Sequence, residues 1–64
     1  MEKEMWLVRD EDKSLWLIIG AKPFKLQVMW GNIDTNSIEL DSKLFPEVKW
    51  SDNEPTKVKL VIDK

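Results

Sequence analysis

The side chains that could do chemistry in this chain are carboxylates, hydroxyls and lysine amines, because the sequence contains no histidine and no cysteine. Nucleophilic catalysis needs a nucleophile, a base and an orienting group, and the familiar sets use one of those two missing residue types. The ordinary zinc ligand sets also require them. A serine–lysine pair would need a lysine removed from water, whereas most lysines here fall on outward strand positions or in loops. The sequence therefore predicts a protein that is not an enzyme and that has no cofactor.

An acidic cluster, Asp10-Glu11-Asp12, is the one stretch that could bind a metal ion. An EF-hand loop beginning at Asp10 needs Gly at its sixth position and Glu at its twelfth. Those positions hold Leu15 and Ala21. Asp is common in hairpin loops because its carboxylate accepts hydrogen bonds from nearby backbone N–H groups. We therefore interpret the cluster as a solvated hairpin loop and predict no metal site.

A basic strip is the second possible site. The lysines that occupy outward positions are Lys25, Lys49, Lys57 and Lys59. Small β-barrels bind single-stranded nucleic acid by stacking bases on exposed aromatic side chains beside such a strip. Phe24, Trp30 and Trp50 share the parity of the predicted core and not that of the lysines, so Trp6 or Trp16 would have to supply the stacking. The formal net charge of −2 also opposes binding to a polyanion. Binding of single-stranded nucleic acid is therefore the alternative function, and a nucleic-acid partner is not expected.

The elements that position these side chains begin with a hairpin. Residues 5–8 and 15–19 are apolar runs on either side of a charged loop, and neither run alternates. Strands that are apolar on both faces are typical of strands covered on both sides, so we expect this pair at the centre of the sheet. A loop of residues 10–13 would place Leu7 opposite Trp16.

This register gives the hairpin a second apolar face that the rest of the chain cannot fully cover. Its members are Met5, Leu7, Trp16 and Ile18. Left bare, they would expose on the order of 400 Å², about the size of the largest apolar patch of a typical monomer. We therefore predict that an unidentified protein partner or a second copy of the chain buries this face, with Trp16 near its centre. The predicted function is a small interaction module that acts through such a contact.

The alternation along the rest of the chain predicts further strands. With the hairpin included, the expected strands are residues 4–9, 14–20, 24–30, 37–41, 48–51 and 56–63. The side chains expected to point inward from the later strands are Phe24, Leu26, Val28, Trp30, Ile38, Leu40, Val48, Trp50, Val58, Leu60 and Ile62. Near residues 42–46 the sequence predicts one short 3₁₀ turn, in which Leu44 and Phe45 close an end of the sheet.

Together these elements predict an all-β fold, an antiparallel meander of five to six strands curled into a small open barrel. A longer helix within 32–46 is the alternative. A chain of 64 residues is expected to form a single β-rich domain, 1–64. Its charged N-terminus lacks the apolar region of a signal peptide, and no segment is long and apolar enough to span a bilayer. These features predict a cytoplasmic protein that does not contact membranes.

Three groups of residues carry a resemblance. They are Arg9-Asp10-Glu11-Asp12 ahead of Leu15, Leu44-Phe45-Pro46-Glu47-Val48 ahead of Trp50, and Glu54-Pro55 ahead of Val58 and Leu60. In this order they are similar to segments of small bacterial and phage-type proteins of unknown function, and the likeness covers most of the chain. Such sequences are expected to have Gly where this chain has Lys13, at a turn position that favours a positive φ. The resemblance implies no activity, cofactor or site residue.

Overall fold

The structure is a computed structural model, and it describes residues 4–59 of the chain. These residues form six strands and no helix. The strands are Met5–Arg9 (β1), Leu15–Ile19 (β2), Phe24–Lys25 (β3), Trp30–Gly31 (β4), Asn36–Leu40 (β5) and Thr56–Val58 (β6). Every strand pair is antiparallel. The predicted all-β antiparallel class is therefore confirmed, and the longer helix considered within 32–46 is not formed. Of the last predicted strand, residues 60–63 lie outside the described part.

The strands form two sheets that are not closed into a barrel. One sheet has four strands in the order β5-β2-β1-β6, and the other contains β3 and β4. The four strands do not follow chain order, because the chain leaves β5 at one edge and returns as β6 at the other, so the sheet is not a simple meander. The strands β1 and β2 lie at its centre, as their unbroken apolar runs predict.

The register between β1 and β2 differs by one residue from the predicted one. Leu7 lies opposite Leu17, not opposite Trp16, and the connecting loop has five residues. The cause is Lys13, whose φ of 76° is left-handed. A turn that ends in a left-handed residue adds a bulge to the hairpin. The extra residue moves every side chain of β2 to the face opposite the predicted one.

All four tryptophans meet on one face of the four-stranded sheet, which we call the tryptophan face. The sheet contributes Trp6, Val8, Trp16 and Ile18, and Trp30 and Trp50 pack over them. Trp30 reaches this face from the β3–β4 hairpin. Its backbone N–H donates to the Asp10 carboxylate over 2.9 Å, and its ring N–H donates to the Arg9 carbonyl over 3.1 Å. The small hairpin is thereby attached to the β1–β2 loop.

The opposite side of the sheet is the aliphatic face. Its side chains are Met5, Leu7, Leu15, Leu17, Ile19, Ile38, Leu40 and Val58. Val48, from the segment between β5 and β6, is buried against Leu7 and Leu15. Both faces of the central hairpin are therefore covered by the chain itself. The covering side chains are Trp30, Trp50 and Val48.

The predicted strand over residues 24–30 is instead a short hairpin. The chain folds back between β3 and β4, where the Leu26 N–H donates to the Met29 carbonyl over 2.8 Å. Phe24 then lies opposite Gly31, and a Cβ on that glycine would come within 2.6 Å of the phenyl ring. The prediction that Phe24, Leu26 and Val28 point inward is wrong, since each is exposed. Of the four alternating residues, Trp30 alone is buried.

The segment between β5 and β6 contains consecutive turns, the first of which lies at the position of the expected 3₁₀ turn, and it does not form the expected strand over 48–51. Backbone hydrogen bonds close them from Leu44 to Asp41, from Val48 to Phe45, and from Asp52 to Lys49. Phe45 has a left-handed φ of 48°, which ends a helical turn, and the following proline disfavours the right-handed conformation there. Leu44 and Phe45 are exposed. The prediction that they close an end of the sheet is therefore wrong. Val48 is instead the residue of this segment that is buried against the sheet.

Candidate interaction surface

The carboxylates that could have done chemistry serve the turns of the chain. Asp10 accepts the Trp30 N–H, Asp41 accepts the Lys43 N–H over 2.9 Å, and Asp52 accepts the Lys49 N–H over 3.0 Å. Within residues 4–59 no three acidic side chains come together in a way that could hold a metal ion. Asp10, a member of the acidic cluster in the β1–β2 loop, thus has a partner in the backbone of the β3–β4 hairpin.

Asp12, in the same loop, has a lowered pKa. The Ser14 hydroxyl donates to its carboxylate over 2.5 Å, and the Ser14 backbone N–H donates over 2.9 Å. These two bonds favour the ionised form and hold the pKa of Asp12 below its ordinary value, the hydroxyl bond having the larger effect. The Trp16 ring N–H in turn donates to the Ser14 oxygen over 3.2 Å. The carboxylate therefore orders the start of β2.

Two of the four lysines of the predicted basic strip are engaged within the chain. The Lys25 amine donates to the carbonyls of Trp50 and Asp52, at 2.5 and 2.8 Å, and lies 4.3 Å from the centre of the Trp50 ring. The Lys57 amine lies 3.4 Å from the Glu4 carboxylate.

The other two members of the predicted strip, Lys49 and Lys59, are exposed. Of the two tryptophans that were expected to stack with bases, Trp6 is buried and Trp16 is half-buried. This arrangement does not favour the nucleic-acid alternative.

The predicted interface is divided between the two faces of the sheet. Met5 and Leu7 lie on the aliphatic face, whereas Trp16 and Ile18 lie on the tryptophan face. Leu7 is 3% exposed and Ile18 is 2% exposed, so neither can contact a partner. Met5 and Trp16 are half-buried. Because the register moves by one residue, these four side chains do not form one surface.

One surface of the described residues that is open to a partner is the outer edge of β5. This strand pairs with β2 on one side, and within residues 4–59 no strand pairs with its other side. Ile38, which was predicted to point inward, is 48% exposed at this edge, beside Leu17 on the aliphatic face. Unpaired backbone groups next to an exposed apolar side chain are what an added strand requires.

The other edge of the sheet, β6, is guarded. It has three residues, it follows Pro55, and it carries Lys57. Short length, proline and lysine are the features that keep sheet edges from pairing with other chains. In contrast, β5 has five residues, Asn36–Leu40, with neither lysine nor proline. Of the two edges, β5 is the one suited to accept a strand.

Sequence reasoning missed this edge because alternation predicts which residues share a face but not which strand is outermost. A signal was nevertheless present. Residues 36–40 contain no lysine or proline, whereas residues 55–59 contain one proline and two lysines. This difference identifies the guarded edge once both segments are known to be outermost.

No protein-family model, no curated protein and no solved structure matches this chain. The part of the chain that the structure describes has no helix long and apolar enough to cross a membrane.

Proposed function

We propose that this chain is a small non-enzymatic interaction module that acts through a protein partner, which it binds by strand addition at the outer edge of β5. The observation that carries the proposal is the exposure of Ile38 on a five-residue edge strand that no described strand covers. Main-chain hydrogen bonds to such an edge provide affinity, and alternate side chains provide specificity.

The distribution of side chains along β5 supports this mode of binding. Asn36, Ile38 and Leu40 lie on the aliphatic face, whereas Ser37 and Glu39 lie on the tryptophan face. An added strand would therefore meet the apolar side chains of Ile38 and Leu40 on one face and a polar row on the other. The expected partner segment is extended, with apolar residues at every second position.

The use of the charged groups also supports a binding role. Arg9 and Lys25 donate to backbone carbonyls, and the aspartates described above accept backbone N–H groups. These groups stabilise the turns that join the strands. The sequence has neither histidine nor cysteine to supply a familiar nucleophile or base.

Selection from a library of random displayed peptides tests the proposal. Selected peptides are titrated into isotopically labelled chain, and backbone amide shifts are followed by NMR. We expect the largest shifts within residues 36–40 and the loss of binding in Ile38→Lys. The matched control is Ile33→Lys, because Ile33 is an exposed aliphatic residue outside the strands, and it should leave binding unchanged. Peptides that shift other residues, or a selection that yields no binder, would overturn the proposal.

A further inference from the structure

We infer that the strand that pairs with β5 belongs to a second copy of this chain, and that two copies join as an antiparallel β5–β5′ pair with Ile38 at the two-fold axis. This inference rests on the proposed function, since it names the partner of the same edge. Its result is a continuous eight-stranded sheet, because each copy contributes a sheet of four strands.

Matching of the faces limits the possible registers. In a symmetric antiparallel pair, residues directly opposite each other lie on the same face of the sheet. The residues of β5 that lie on the aliphatic face carry even numbers, Asn36, Ile38 and Leu40, so even-numbered residues must oppose even-numbered ones. The two-fold axis must therefore pass through a residue and not between two residues.

The number of β5 residues that are paired and the position of the Glu39 carboxylates select one of these registers. With Ile38 at the axis, all five residues of β5 are paired, Asn36 lies opposite Leu40′, and Ser37 lies opposite Glu39′. With Glu39 at the axis, the two carboxylates would lie directly opposite each other, which is unfavourable. With Ser37 at the axis, Leu40 would have no opposite residue within β5′. The central register alone pairs the whole strand without opposing like charges.

The packing on the aliphatic face supports the same register. Leu7 lies opposite Leu17, and Leu17 lies opposite Ile38. Pairing at Ile38 extends this row across the axis into the identical row of the second copy. The exposed half of the Ile38 side chain would then pack against Ile38′, as cross-strand aliphatic pairs do in sheets.

The size of the interface predicts a weak complex. One pair of five-residue strands buries less area than a standard protein interface, so we expect a dissociation constant between about 10 µM and about 1 mM. The two Glu39 carboxylates lie diagonally across the axis, within about 8 Å of each other. Their repulsion is screened by salt, and added salt should therefore strengthen the dimer.

Cysteine crosslinking tests the register directly, because the chain has no cysteine of its own. At the axis, Ile38→Cys would place two Cα atoms about 4.5–5.5 Å apart, which suits a disulfide. The matched control is Leu40→Cys, whose two copies would lie about 13 Å apart along the strands. Under mild oxidation we expect the Ile38→Cys variant to form disulfide dimers and the Leu40→Cys variant to remain monomeric. Equal crosslinking of the two variants would overturn the register.

Sedimentation of the cysteine-free chain tests association itself. The Ser37→Lys variant should dimerise more tightly, by about tenfold at most, because each new amine faces Glu39′, and Ser37→Glu should weaken the dimer. The variants Asn53→Lys and Asn53→Glu make the same charge changes in an exposed turn and serve as controls that should leave association unchanged. Opposite or equal effects at the two sites would contradict the inference.

Failure of the inference and failure of the proposed function give different results. A chain that remains monomeric up to about 1 mM, the upper bound set by the interface size, overturns the second copy as partner. If the same chain still binds selected peptides at residues 36–40, the proposed function stands. If the outward amides of β5 resist hydrogen exchange in the dilute monomer, the chain closes its own edge, and both are wrong.

Discussion

The guanidinium of Arg9 is hydrogen-bonded to the backbone of Val48, with Nε donating to the Val48 carbonyl oxygen over 2.6 Å. The same group donates to four further carbonyls, those of Lys13, Ser42, Leu44 and Phe45. A planar group with five N–H donors can satisfy such a set, whereas an amine cannot. One side chain of β1 thus fixes the turns of residues 42–48 and places Val48 over the aliphatic face.

The first prediction concerns this contact. Arg9→Lys keeps the charge but removes most of the donors, so it should lower the free energy of unfolding by about 2–3 kcal/mol. Urea denaturation followed by tryptophan fluorescence measures the change. The exposed Lys43, changed to Arg, is the control, and its effect should stay within about 0.5 kcal/mol. If Arg9→Lys unfolds at the same urea concentration as the parent, the carbonyl contacts contribute nothing to stability.

The second prediction compares Val48 with Phe45. Val48→Ala removes two buried methyl groups and should lower the free energy of unfolding by about 2 kcal/mol. Phe45 is the larger residue but is 43% exposed, so Phe45→Ala should cost less than about 1 kcal/mol. The same urea experiment measures both. The reverse order of the two costs would show that Phe45, not Val48, covers the sheet.

The third prediction concerns the left-handed backbone of Lys13. Glycine adopts a φ of 76° without the steric cost that a Cβ imposes. Lys13→Gly should therefore leave stability unchanged or raise it by up to about 1 kcal/mol. The hydrogen bond from Arg9 to the Lys13 carbonyl does not depend on the side chain. Glu11→Gly, in the same loop without a positive φ, should instead be destabilising, and a loss at both positions would contradict the turn.

The fourth prediction concerns pH and the pair of Asp12 and Ser14. Because the pKa of Asp12 is lowered in the folded chain, its bonds to Ser14 stabilise the fold above the ordinary aspartate pKa. This contribution is lost as the pH falls from that value through the folded pKa. Titration of the Asp12 carboxyl carbon by NMR should show that Ser14→Ala raises the pKa and that Ser14→Thr, which keeps the hydroxyl, does not. If Ser14→Ala left the pKa of Asp12 unchanged, the Ser14 hydroxyl would not be the main cause of the lowered pKa.

The sequence by itself determined the class of the fold and its centre. Runs of four and five apolar residues around a charged loop are typical of strands covered on both faces. The strands β1 and β2 do lie at the centre of the sheet, and Trp30, Trp50 and Val48 cover its two faces. The need for a positive φ at Lys13 also followed from local turn chemistry. These features depend on neighbouring residues, so a linear pattern is sufficient to predict them.

The tertiary structure decided the register, the covering side chains and the open edge. The bulge at Lys13 shifts β2 by one residue, and this alone separates Leu7 from Trp16. The alternation of residues 24–30 fits one strand or a hairpin equally well, and contact of Trp30 with the β1–β2 loop selects the hairpin. Ile38 is exposed because β5 lies at an edge, a position set by strand order. Such outcomes depend on contacts between residues far apart in the chain, which local alternation does not encode.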